Sequence, residues 1–133
     1  MDILTLYLAT AAIFLLLDAV MLTAVVAPLF RKHLGASMLK TPRVLPAAVF
    51  YLFYIGGLLI LVSVQAYHDA NVITAFWQGA VIGAMAYGTY EFTNYATLTD
   101  WKPSMVLTDG LWGTVLTAVS AAGGVWITLA IFD

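Results

Sequence analysis

The stretch that decides the fold is ILTLYLATAAIFLLLDAVMLTAVVA, residues 3–27. A single charged side chain, Asp18, interrupts it. A helix needs about 20 consecutive apolar residues to cross a bilayer, so this run is long enough. The pattern recurs over 45–66 without a charge, over 72–98 with Glu91, and over 105–132 with Asp109. Strands of a membrane barrel would alternate over about 10 residues instead. The expected fold is therefore all-α: an integral membrane four-helix transmembrane bundle, with residues 1–133 as a single transmembrane domain. The first run reads as a retained span, since it has no basic leader region and exceeds the roughly 7–15 apolar residues of a signal peptide.

Composition points the same way. Of the 133 residues, 63% are hydrophobic and 9% charged. Soluble domains average roughly 45–50% apolar and about 25% charged residues. Too few polar side chains remain to coat a globule in water. Five Lys and Arg against seven Asp and Glu leave no basic stripe, so nucleic acid is excluded as a partner. The absence of cysteine removes disulfides, thiolate metal sites and thiol nucleophiles.

The positive residues set an orientation. Arg31, Lys32, Lys40 and Arg43 fall in the first loop and Lys102 in the third. Four spans put all five on one side, predicted to be cytoplasmic. Both termini then face outward, in a multi-pass protein of the cytoplasmic (inner) membrane. Pro28 is expected to close the first helix, Pro42 and Pro46 to mark entry to the second, and Pro103 to open the fourth, with Asp100 as its cap. Residues 67–71 predict a tight hairpin. Segment 29–40 reads either as a short interfacial helix or as a basic loop.

Small residues mark helix contacts in lipid, where packing replaces water exclusion as the driving force. Gly79, Gly83, Tyr87 and Glu91 form one stripe, and Asp109, Gly113, Thr117, Ser120 and Gly124 another. The first reading is packing within the bundle; the second is a homodimer seam through Gly79 and Gly83. Trp101, Tyr7, Tyr67, Trp77 and Trp126 fit the interfacial belt. Trp112, one turn beyond Asp109, is the exception.

Asp18, Glu91 and Asp109 are the chemically informative residues. A carboxylate at mid-span costs about 2.5–3.5 kcal/mol, and such groups usually face the bundle interior. Alternating helix direction brings the three to one half of the bilayer. Tyr87 and Asn94 lie one turn either side of Glu91. Asp18, Glu91, Asn94, Asp109, Tyr87 and Trp112 are thus the candidate ligand- or proton-binding residues. Tyr51 and Tyr54 supply an aromatic wall, and Arg43 or Lys102 could reach in from the rim. Three uses compete: a structural hydrogen-bond network, a site for a proton-coupled or cationic ligand or a lipid headgroup, and a metal-assisted site. Oxygen ligands would suit magnesium, calcium or manganese, but the metal stays undecided. No cofactor and no catalytic residue is assigned. The two histidines, His33 and His68, fall on opposite sides and cannot share a metal or a triad.

Residues 46–57 (PAAVFYLFYIGG), 87–98 (YGTYEFTNYATL) and 109–114 (DGLWGT) resemble domain-of-unknown-function family 2177, small predicted bacterial membrane proteins. The resemblance covers nearly the whole chain. It implies a membrane-embedded fold but no assigned activity, and it hints at membrane fatty-acid modification. The family's usual acid at position 91 is aspartate; Glu91 keeps the carboxylate and adds a methylene, which favours a looser ligand or a structural role. The expected function is binding or transport of a proton-coupled, cationic or amphiphilic ligand at an intramembrane acidic pocket. The alternatives are a non-catalytic accessory subunit of a membrane complex, or a helper in lipid modification. The bilayer is the expected surrounding, with a second copy or a membrane protein as partner.

Overall fold

The computed structural model describes residues 2–132, and these are all-helical. Four long helical stretches follow one another: Asp2–Ser37, Val44–His68, Val72–Thr97 and Pro103–Phe132. The first, second and fourth are long and apolar enough to cross a membrane. The third has the length but is less apolar, because Gln78, Glu91, Asn94 and four threonines dilute it. It is therefore not among the candidate spans, although the sequence expectation counted it as one.

The fourth helix is the hub. Its buried face runs from Met105 to Thr128, and the other three pack around it. Small residues allow the close approach. A methyl added to Gly83 would run into the Gly113 carbonyl, and one added to Gly113 into the Tyr87 ring. Gly79 meets Ala121 and Thr117, and Gly124 meets Thr10 of the first helix. The two small stripes thus face each other within one chain. The face of Gly79 and Gly83, expected as the alternative seam for a second copy, is occupied by the fourth helix. Gly56 and Gly57 of the second helix, by contrast, have almost nothing against them.

The first helix runs further than expected. Pro28 does not close it: the helix continues to Leu34 and ends in a turn of 3-10 helix, Gly35–Ser37. The reason is a π turn, Leu22–Val26, in which the Ala27 N–H reaches back to the Leu22 carbonyl. Pro28 follows directly, in the first turn of the resumed α-helix, where its missing N–H is tolerated. Residues 29–37, with Arg31 and Lys32, are thereby a helical extension of the first helix, and residues 38–43, with Lys40 and Arg43, form the loop that follows. A second π turn, Leu59–Ser63, interrupts the second helix.

The 67–71 connection is the expected tight hairpin. The Asn71 N–H bonds to the Ala66 carbonyl at 2.9 Å, with Ala70 at φ 50°, and the Asn71 side chain caps the third helix by accepting from the Thr74 N–H. Pro46 lies in the first turn of the second helix. Asp100 makes no capping bond among the described residues; the Lys102 carbonyl accepts the first N–H bonds of the fourth helix.

The core has two parts. One joins Leu6, Phe14, Ile55, Leu58, Leu116 and Val125. The other joins Val26, Phe30, Trp101, Met105 and Val106. Large apolar side chains such as Leu16, Phe53, Ile60, Phe92 and Leu111 stay exposed on every outer face, as a lipid-facing surface requires and a water-facing one does not tolerate in such contiguity. The first half of the second helix buries none of residues 44–54, and it touches the first and fourth helices through Leu52, Tyr51 and Tyr54.

Candidate functional site

The space beside that half-helix is a cavity of about 590 Å³. It borders both parts of the core, taking Val26 and Phe30 from one and Tyr51, Tyr54 and Tyr87 from the rim of the other. The first helix contributes Asp18 and the fourth Asp109. Both acids are at least nine-tenths buried. The π turn matters locally, because Leu22 and Val26 at its two ends line the same cavity. Such turns often accompany functional sites, since the extra residue re-aims the side chains that follow.

Of the six predicted site residues, Asp18, Tyr87 and Asp109 line the cavity. Trp112 does not line it, yet its Nε1 donates to Asp18 Oδ1 at 3.1 Å and so holds that carboxylate. Glu91 sits behind Asp109, fully buried, with the two carboxyl groups within hydrogen-bonding reach of each other. Its Oε1 accepts from Trp101 Nε1 at 2.9 Å, while Oε2 has no donor among the described residues. Asn94 faces the Tyr90 hydroxyl rather than the cavity. The three acids do converge, but Glu91 and Asn94 are supports rather than lining.

Trp101 is the largest correction. It was expected at the membrane interface, and it is buried, 5% exposed. The link between the third and fourth helices folds it inward, with edge-on contacts to Phe30 (ring centroids 5.1 Å) and Tyr90 (5.7 Å). Both the apolar ring and its one N–H are satisfied there. The Tyr7 hydroxyl donates to the Leu52 carbonyl at 2.8 Å and so ties the first helix to the second. Tyr51 and Tyr54 form the expected wall, Tyr51 beside Asp18 and Tyr54 bonded to Thr117 at 3.0 Å. Tyr90 joins them in the lining. The cations at the mouth are Arg31 and Lys40, not Arg43 or Lys102. The helical extension past Pro28 carries Arg31 there, a consequence of the π turn that no residue pattern signalled.

The two histidines are far apart, as expected. His33 lies 3.5 Å from the Ser104 hydroxyl, and His68 packs beside Tyr67 at the hairpin. Among the described residues no group of three or more His, Cys, Asp or Glu is placed to hold a metal ion.

A family model for predicted membrane proteins, DUF2177, matches residues 3–126. The chain belongs to this family. The DUF2177 match reaches into each of the four helical stretches and covers every cavity residue named above. No curated protein and no solved structure matches the chain. The DUF2177 assignment therefore supports a membrane-embedded fold and carries no activity with it.

Proposed function

We propose that this protein is a four-span membrane protein whose intramembrane cavity binds an amphiphilic ligand. The third helix supports the fourth span. Its 26 residues rise about 39 Å at 1.5 Å per residue, enough to cross. Its most polar side chain, Glu91, is turned inward, while Ile73, Phe76, Val81 and Phe92 face out. On this reading the basic end, with Arg31, Lys32, Lys40, Arg43 and Lys102, faces the cytoplasm and both termini face outward.

The observation that carries the binding reading is the cavity itself. It is walled mostly by apolar and aromatic side chains, with a few polar groups, Asp18, Asp109 and the tyrosine hydroxyls, converging on it. That is the makeup of a small-molecule site, and its volume falls within the usual range of about 300–1,000 Å³. Leu22 and Phe50 line it while staying exposed, so an alkyl chain has a way in from the bilayer.

The test is native mass spectrometry of the protein released from membranes in a mild detergent, wild type beside Ala47→Trp. Ala47 lines the cavity from an exposed position, so the indole fills space without disturbing the packed core. A co-purifying amphiphile on wild type that is absent from the variant is expected. Equal retention by both would place the bound molecule elsewhere and refute the reading.

A further inference from the structure

The carboxylates of the cavity are not matched by a cation. Asp109 faces it and is nine-tenths buried, yet no N–H or O–H of the described residues reaches its carboxylate apart from the acid Glu91 beside it. Asp18 accepts from Trp112 and has Tyr51 next to it. Among the described residues no lysine or arginine pairs with either acid; Arg31 and Lys40 stand at the mouth and are exposed. A buried carboxylate that lacks a cation is costly, so the site favours a ligand that brings one.

A second, independent feature points to the same chemistry. Tyr51, Tyr54, Tyr87 and Tyr90, from the second and third helices, line the cavity that holds the two acids. The face of an aromatic ring is negative, and it attracts ammonium groups within about 6 Å of its centre. Tyrosine rings around a carboxylate suit a bulky, weakly hydrated cation better than a small metal ion, which would need more oxygen ligands than the two acids offer. The apolar remainder of the wall fits an alkyl chain and not a wholly polar solute.

We propose that the cavity takes an amphiphile with an amine or quaternary ammonium head, the head lying between Asp18 and Asp109 among the tyrosines and the chain leaving past Leu22 and Phe50. This rests on the cavity reading above and adds the sign of the ligand's charge. Arg31 and Lys40 at the mouth then face lipid phosphates, as cations at a membrane surface do.

The experiment compares three probes of one chain length, dodecyltrimethylammonium, laurate and dodecanol. Each is added below its micellar concentration to purified protein in a nonionic detergent. Thermal unfolding is followed for wild type, Asp109→Asn and Ala47→Trp. A ligand that binds only the native state raises Tm with its concentration. The ammonium probe is expected to raise the wild-type Tm by at least about 3 °C. Its apparent affinity for Asp109→Asn is expected to fall at least about tenfold. Ala47→Trp should lose the shift while keeping its own Tm. Should Asp109→Asn fail to fold, Ala47→Trp and the contrast between probes still decide. Stabilisation by laurate or dodecanol but not by the ammonium probe overturns the cation and leaves the cavity reading standing. If none of the three stabilises wild type, both readings fall.

Discussion

Trp101 donates its indole N–H to Glu91 Oε1 at 2.9 Å, across a link that ends the third helix and begins the fourth. Trp112 makes the matching bond to Asp18 Oδ1 at 3.1 Å between the fourth helix and the first. Two of the three buried acids are thus each held by an indole rather than by a cation. An indole is donor-only and mostly apolar, so it satisfies a carboxyl oxygen without adding a second charge to the interior.

The Trp101–Glu91 bond has a testable asymmetry. Trp101→Phe removes the donor and leaves the buried Glu91 Oε1 unserved, so it should destabilise by about 1–3 kcal/mol. Glu91→Gln keeps an acceptor for the indole and gains an amide N–H that can donate to Asp109. It should be neutral or mildly stabilising in thermal unfolding. A loss in Glu91→Gln as large as in Trp101→Phe would show that Glu91 does more than hold the link.

Glycine positions should divide sharply by what a methyl would meet. Gly83→Ala drives its Cβ into the Gly113 carbonyl, which is backbone and cannot swing aside. It should separate the third and fourth helices and cost about 1–3 kcal/mol. Gly57→Ala meets nothing within 4 Å and should gain up to about 1 kcal/mol from helix propensity. Unfolding midpoints of the two variants check this, and equal effects would contradict the packing.

At the hairpin, Ala70 holds φ 50°, a left-handed conformation that costs a side chain about 1–2 kcal/mol. Ala70→Gly relieves that cost at the helix C-terminus and should raise the unfolding midpoint by a few degrees. A lowered midpoint would mean that the 67–71 connection has another shape.

The chain contains no cysteine, so single cysteines report topology directly. Lys40→Cys and Thr99→Cys should react with an impermeant maleimide from one side of the membrane, and Asp69→Cys from the other. Labelling of Thr99→Cys together with Asp69→Cys would show that Val72–Thr97 does not cross.

Some of this architecture is written in local chemistry. Long apolar runs demand helices in lipid, because no other backbone buries its N–H and C=O groups within one segment. Spacing of four along a helix puts Gly79, Gly83, Tyr87 and Glu91 on one face whatever surrounds them. Helix direction places Asp18, Glu91 and Asp109 at similar depth, but not against one another. Tertiary structure decided the rest. Whether Trp101 floats at the interface or folds onto Glu91 depends on how a short link packs against Phe30, and no sequence spacing encodes that. The rotation of the first helix past Pro28 depends on one π turn, which adds a residue and redirects Arg31 to the cavity mouth. The cavity exists because the first half of the second helix leaves open the space that Ala47, Phe50, Tyr51 and Tyr54 line. A void is a property of packing between segments, and a single segment's pattern of side chains does not contain it.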